Sequence, residues 1–277
     1  MTEFSIVTIV KGRRKQLANL LHSIKGSEML PYDIQIVCMD APDGIANADG
    51  LNVNIHVIND AHELPLAAAR NTGISAAKTG KVIFIDVDCI VSPTLFGNML
   101  RELQADNIIA AYPLYLPMVP DTGNYNELKE RALTHPDRAR ISAGTAVPHL
   151  QFWSLIFAVQ KQTFEEIGGF DESFTGYGAE DTDFAMMFHQ AGVKQIFVPD
   201  HVLHQYHDKH DPPLNHFDSI IENAARYKQK WGVLPMQKWL KAFEAMGLIK
   251  IDQADDIIVK QQPTDSQVKN SVSLYPY

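Results

Sequence analysis

Asp86-Val87-Asp88 stands at the end of the uninterrupted apolar run Val82 to Ile85. Carboxylates that emerge where a buried strand stops can hold a hard divalent cation, with phosphate oxygens completing its shell. Such an ion neutralises a nucleoside diphosphate as it leaves, and that is the chemistry this pair would serve. Alternate residues of an extended segment share a side, so Asp86 and Asp88 are expected to face one way. A solvated turn at a strand end has the same look, and a lone D-x-D does not separate the two readings.

A second acidic pair, Glu180-Asp181, follows Gly176-Tyr177-Gly178-Ala179 and precedes Phe184, Met187, Phe188 and Ala191 at helical spacing. The start of a helix favours an ionised carboxylate, the form a general base must hold beside an acceptor hydroxyl. Acidic residues at helix starts are also common with no further role; the glycine-punctuated setting favours catalysis. Trp153 offers an aromatic face of the kind that stacks on sugars, although large aromatics more often simply pack. Lys11, Arg13, Arg14 and Lys15 cluster after Val10, and Gly12 would let the backbone approach a diphosphate closely. Most of that cluster reads as a solvated helix start.

These residues need elements that bring them together. Ile6 to Val10, Ile34 to Met39, Asn54 to Ile58 and Val82 to Ile85 read as short strands. Between them Leu17, Leu20, Leu21 and Ile24 recur at helical spacing, Leu66 to Ala77 is an Ala-rich helix, and Pro93 opens another helix. The alternation predicts a mainly parallel sheet with helices on both faces. Ligands of such sheets gather at the carboxyl ends of the strands. That rule places Lys11-Gly12-Arg13, Asp40 and Asp86-Val87-Asp88 together.

From Tyr112 to Gln151 prolines break the rhythm, and so long an irregular stretch is expected to be a functional loop or lid. An apolar strand is expected over Phe152 to Val159, then a short helix, Gln162 to Ile167, stopped by Gly168-Gly169. Leu214, Phe217, Ile220, Ile221, Ala224 and Tyr227 mark a further helix, and the polar residues from about Gln261 onward are expected to fray.

With 33 acidic against 24 basic residues in 277, the formal charge is -9, which argues against non-specific nucleic-acid binding. Cys38 and Cys89 lie in or beside apolar runs and form no CxxC pair, so they read as buried small hydrophobes in a reducing compartment. No stretch reaches membrane-spanning length, and Phe4 to Val10 is too short for a signal peptide and lacks a basic flank. A cytoplasmic enzyme is expected, with peripheral membrane contact left open.

Phe4-Ser-Ile-Val-Thr-Ile-Val10, Ala69-Arg70-Asn71-Thr72-Gly73 and Val82-Ile-Phe-Ile-Asp-Val-Asp88 together resemble the family 2 glycosyltransferases of the GT-A fold. Gly168-Gly-Phe-Asp-Glu-Ser-Phe174, followed by Gly176-Tyr-Gly-Ala-Glu-Asp181, resembles the C-terminal segment shared with galactosyltransferases and polypeptide N-acetylgalactosaminyltransferases. The joint order of these motifs is more specific than any one of them. The resemblance implies that Asp88 binds metal and that Asp86 contacts the ribose or the metal. It implies that Asp40 reads the nucleotide base and that Arg70 lies near the base and diphosphate. Asp181 is implied as the base, with Glu180 and Gly178 on the acceptor side. Asp200-His-Val-Leu-His204 resembles the segment that supplies a further metal ligand, so His204 joins Asp88. Imidazole suits a transition ion better than magnesium, so Mn2+ is expected first and Mg2+ second. His201, His207, His210 and His216 lie near, but without a nearby cysteine a zinc site is a weaker reading.

Two departures from the family pattern touch the donor pocket. Val10-Lys11-Gly12-Arg13 replaces a Pro-Thr-Tyr-Asn-like turn, and Asp40-Ala-Pro-Asp-Gly44 replaces an Asp-Asp-Gly-Ser turn. Donor contacts are therefore expected from Val10, Lys11, Asp40, Arg70 and Asp86, and acceptor contacts from Trp153 and Gly178. The expected fold is a GT-A-like α/β/α three-layer sandwich over residues 1–212, with its nucleotide-sugar half at 1–110 and its acceptor half at 111–212. A helical extension (213–260) and a polar tail (261–277) follow. The expected reaction moves a sugar from a UDP- or GDP-sugar to a carbohydrate or other hydroxyl acceptor, with inversion. A sugar nucleotidyltransferase and a non-catalytic sugar-binding relative are the alternatives.

Overall fold

Alternation along the first strand decides the layering. In this computed structural model, which describes residues 3–42, 50–58, 64–273 and 275–276, β1 (Ser5–Val10) sends Ile6 and Val10 into one apolar cluster and Val7 and Ile9 into another. That is the period of two an extended chain imposes. The chain continues through α1 (Arg14–Lys25), β2 (Asp33–Cys38), β3 (Val53–Val57), α2 (Leu66–Ala76), β4 (Lys81–Ile85), β5 (Cys89–Val91) and α3 (Leu95–Glu102). The second half holds β6 (Asn107–Tyr115), α4 (Tyr125–Leu128), β7 (Leu133–Thr134), β8 (Ala146–Val147), β9 (Ile156–Gln160), α5 (Lys161–Ile167), α6 (Glu180–Gln190) and β10 (Lys194–His204). It closes with α7 (Phe217–Trp231), α8 (Gln237–Ala245), β11 (Ile249–Ile251), β12 (Ile257–Val259) and α9 (Asp265–Asn270).

One sheet runs β3-β2-β1-β4-β9-β6-β10-β5, with β7 beside β6 and β8 beside β10. α1 and α3 cover one face through Leu17, Leu20, Leu21, Ile24, Phe96 and Met99. On the other face α2, α5 and α6 bring Ala69, Ile74, Phe164, Phe184 and Phe188. The expected parallel order holds for β1 to β4. Beyond them β6 and β10 are again parallel, but β9 is antiparallel to β4 and β6, and β5 is antiparallel to β10. The sheet is therefore mixed.

Other boundaries moved for local reasons. β6 runs on to Tyr115 through Pro113, where irregular chain was expected from Tyr112. Pro113 is tolerated because β9 pairs only with Ile109 and Ala110, so no ladder partner on that side needs its missing N–H. The strand expected from Phe152 begins at Ile156, because a 3₁₀ turn (His149–Gln151) precedes it and Phe152 packs instead on Phe157, Phe184 and Phe188. The residues after Gln261 were expected to fray. They form α9, with a capping box between Thr264 and Gln267, and Ser271 O accepts the Asp211 N–H at 2.8 Å.

The last helices build their own apolar cluster from Phe217, Ile220, Ala224, Leu240, Phe243 and Leu248. Polar contacts join it to the sandwich. Buried Asn223 donates to Thr175 O at 2.8 Å and Gly178 O at 2.9 Å. Fully buried Asp183 accepts from Trp231 Nε1 at 2.7 Å and from Lys230 Nζ at 2.9 Å. Removing Asn223 strands two carbonyls. Asn223→Ala is expected to lower the unfolding free energy by about 1–3 kcal/mol, read from the urea midpoint at constant slope; an unmoved midpoint would show that these bonds contribute nothing net.

Candidate active site

The Asp86–Asp88 motif is a turn, not the extended segment expected. The Cys89 N–H donates to Asp86 O at 3.0 Å, and the Asp86 N–H donates to Leu155 O at 2.9 Å just before β9. β5 leaves this turn antiparallel to the end of β10, with Cys89 opposite His204. The Gln205 N–H then donates to Asp88 O at 2.6 Å. This backbone register carries two sequence-distant residues, Asp88 and His204, to one place.

Asp88 is 2% exposed and His204 8%. His207, half-buried, lies with its Nε2 4.0 Å from Asp88 Oδ2. Asp88, His204 and His207 each offer a ligand atom, and these atoms lie within 4.8 Å of one another. Asp88 Oδ1 and His204 Nδ1 are buried without a hydrogen-bond partner. His207 Nδ1 sits 3.0 Å from Asp208 O, an orienting contact that leaves Nε2 to face inward. Burial pushes His204 well below its usual range and His207 down to about 4. Both imidazoles are thus neutral near pH 7, the state that binds metal. Burial also lifts Asp88 to about 7 and Asp86 to about 6 against the pull of nearby arginines. A buried carboxylate in need of a cation, beside unpartnered neutral imidazoles, fits a divalent transition ion.

The strand pairing β1–β2 sets Val10 opposite Cys38 and so places residues 11–14 against Asp40. Asp40 accepts from the Gly12 N–H at 2.6 Å and from Arg14 Nη2 at 2.9 Å. Gly12 adopts φ 71, a conformation that favours glycine there. Val10 is buried in the core, and Lys11 is exposed. Arg13 reaches Asp88 and forms an ion pair with it. The basic cluster is largely the solvated helix start expected, since α1 begins at Arg14 and Lys11, Arg13 and Lys15 are exposed, but Arg13, Arg14 and Lys15 also pair with Asp88, Asp40 and Asp121. Asp43 and Gly44, in the second departure from the family pattern, lie outside the described residues.

Arg70 is buried rather than on the surface. Its guanidinium lies over Phe84 and Phe170 and meets Glu180 Oε1 at 3.1 Å. Glu180 is thereby turned toward α2, while Asp181, at the start of α6, uses Oδ1 to accept from the Thr182 N–H and hydroxyl. Burial and the Glu180 charge hold Asp181 well above the ordinary carboxylate range, with Arg70 opposing. Gly178 adopts φ 100, a conformation that favours glycine, and a Cβ there would also meet the flexible Met236 side chain, at 2.8 Å from Sδ.

Three contributors were not expected at the site, although His207 was among the histidines named near His204. His207 follows His204 in a stretch without regular structure. Tyr115, at the end of β6, packs on His204 with the rings tilted and their centroids 5.0 Å apart. Arg138 is 2% exposed, with its guanidinium 3.3 Å from the centre of the Trp153 ring and Nη1 donating to Gln151 O at 2.6 Å. Trp153 thus packs on the 133–151 segment, and His135 meets it edge-on at 5.1 Å.

Known proteins bear on this arrangement. The sheet order with carboxylates at the strand ends defines a nucleotide-sugar transferase fold of the GT-A type. Residues 42–239 match the family described as Glycosyltransferase like family 2, and the chain belongs to that family. Pre-mycofactocin glycosyltransferase of Mycobacterium tuberculosis is 23% identical over 200 residues, covering 71% of this chain and 41% of the relative. The chain spans less than half the length of that relative. S. aureus TarS (residues 1–349) superposes with a TM-score of 0.60 at 12% identity, over 87% of this chain and 68% of that one. GalNAc-T7 with UDP, GalNAc and Mn2+ superposes with a TM-score of 0.56 at 17% identity, over 74% and 43%. At these identities the two structures show the shared fold. Among the described residues no helix is long and apolar enough to cross a membrane.

The Arg70–Glu180 pair generates a stability test. Breaking a buried ion pair from one side leaves an uncompensated charge and costs about 3–5 kcal/mol. Arg70→Met is expected to lose that much, and Arg70→Met with Glu180→Gln distinctly less than the sum of the single changes. Additive losses in a urea double-mutant cycle would show that the two side chains do not interact.

Proposed function

We propose that the chain transfers a glycosyl group from a nucleoside diphosphate sugar to an acceptor hydroxyl, with a divalent cation at Asp88, His204 and His207 and with inversion at the anomeric carbon. One observation carries the reading: a buried carboxylate and two neutral imidazoles converge at the strand ends that also hold Asp86 and the basic residues after β1. The chain's resemblance to family 2, and the UDP and Mn2+ in the GalNAc-T7 complex, support it. Manganese is the preferred ion on ligand chemistry, and UDP and GDP sugars are the donors of first choice.

When bound, the cation neutralises the diphosphate as it departs. The chain's own residues do the rest. Val10, Lys11 and Asp40 border the nucleotide, with Lys11 free to meet anionic oxygens. Asp86, in the same turn as Asp88, is set to meet the ribose or the metal. Arg70 clamps Glu180 and leaves Asp181 to take the acceptor proton through Oδ2. Trp153 and Gly178 flank the acceptor side, and residues 213–260 support the base loop from outside residues 1–212. The free, buried thiols of Cys38 and Cys89 suit a reducing cytoplasm.

Calorimetry with UDP, GDP and their common sugars, with Mn2+ and with chelator, tests the donor site. Binding is expected only with metal and is expected to fall at least tenfold in Asp88→Asn. Metal-independent binding of equal strength would remove the cation from the reading. Asp181→Asn is expected to lower kcat by about 10²–10⁴-fold with little change in KM. A product of retained configuration by proton NMR would remove Asp181 from the base role.

The charged neighbours of Asp181 give the pH profile its sign. Glu180 and burial raise its affinity for a proton, Arg70 lowers it, and Arg138 and Tyr177 also feel its charge. A base works only when ionised, so kcat/KM is expected to fall as pH drops through a midpoint well above that of an ordinary aspartate. The limb should vanish in Asp181→Asn; its persistence would assign it to another group.

A further inference from the structure

The buried charge of Asp88 is already neutralised by the chain itself. Arg13 Nη1 donates to Asp88 Oδ2, and that same oxygen faces His207 Nε2 at 4.0 Å. The guanidinium therefore stands on the Asp88 oxygen that faces His207, beside the group formed by Asp88, His204 and His207. Two positive charges on one carboxylate oxygen in a water-poor site repel strongly, so arginine and metal compete there.

The two partners differ in freedom. The Asp88 side chain is 3% exposed and the Arg13 side chain 39%. Asp88 is pinned by its turn and by the Gln205 N–H. Arg13 follows Gly12 and carries φ 20 just before α1, at the end of the strand that neighbours β4. Its neighbours Arg14 and Lys15 are held by Asp40 and Asp121, away from the metal ligands. Of these three, Arg13 alone pairs with Asp88 and also has open solvent to swing into. A nucleoside diphosphate arriving there offers a planar fork its matching anion.

We propose that Arg13 is an internal counter-cation that closes the metal site of the donor-free protein and passes to the donor diphosphate when the divalent cation takes its place on Asp88. This rests on the metal-dependent donor reading above. Metal and nucleotide then bind cooperatively, because each favours the state in which Arg13 has left Asp88. Linkage makes that coupling reciprocal.

The test measures Mn2+ affinity by the EPR signal of unbound Mn2+, for the wild type, Arg13→Ala and Arg13→Gln, each with and without UDP or GDP. Thermal melts check that both variants are folded. Without nucleotide the variants are expected to bind Mn2+ at least tenfold more tightly than the wild type. Nucleotide should tighten Mn2+ binding markedly in the wild type and much less in the variants, which should also bind UDP or GDP more weakly in saturating Mn2+. Equal or weaker Mn2+ binding by both folded variants without nucleotide overturns the exchange while leaving the metal site standing. Absence of Mn2+ binding in all three proteins, with nucleotide present, overturns the metal reading itself and the exchange with it.

Discussion

A buried carboxylate is the constraint around which this site is built. Asp88 lies where water does not reach, and an ionised group there is unfavourable unless a cation or several donors meet it. The chain supplies one guanidinium from the end of β1 and leaves Oδ1 unpartnered. The imbalance is local and specific. It makes Asp88 a favourable place for a cation, and it ties the proposed metal site to the position of the first strand's terminal loop.

The same logic recurs along the carboxyl edge of the sheet. Arg14 meets Asp40 beyond β2, and Arg70 meets Glu180 between α2 and α6. The three arginines differ in what surrounds them. Arg70 is enclosed by Phe84 and Phe170 and cannot leave without exposing Glu180, so it is a fixed strut. Arg14 and Arg13 are more open: the partly exposed Arg14–Asp40 pair is of a kind that contributes little to stability, whereas Arg13 is the open partner of a buried carboxylate. An edge with one rigid and two looser arginines suits a site whose polyanionic ligand comes and goes beside a base that must stay still.

Much of this was legible in the sequence, for reasons that concern particular residues. Val82 to Ile85 is a continuous apolar run, and a run so marked leaves no doubt about where its carboxylates emerge. Gly176 and Gly178 punctuate the chain before Glu180-Asp181, which located the helix start. The partners of Asp88 were less visible. A basic run such as Lys11 to Lys15 has the same composition whether or not its exposed members also reach acidic partners, and the turn at Gly12 and Arg13 is what carries Arg13 to Asp88. Asp200-His-Val-Leu-His204 pointed to one histidine, but His207 owes its position to the non-repetitive chain after β10. β10 itself carries Pro199 and a register shift between Phe197 and His201, and these erase the period that would have announced a strand. Arg138 is buried by stacking between distant segments, which no local pattern records.

The placement of Asp181, the proposed base, depends on chain outside the sandwich. Ala179 adopts φ 70 immediately before α6, a conformation disfavoured for a residue with a Cβ. It is held on both sides by the C-terminal layer: Asn223 binds the carbonyl of Gly178, and Asp183 is fixed by Lys230 and Trp231. Asp181 lies between these anchor points. The proposed metal ligands Asp88 and His204, by contrast, are set by sheet register, since Cys89, the residue after Asp88, pairs with His204 across β5 and β10. The two halves of the proposed reaction thus have separate supports. Damage to the α7 layer should disturb the acceptor side first and leave the donor side formed. A scaffold divided in this way lets the acceptor side vary between relatives while the nucleotide side keeps its geometry.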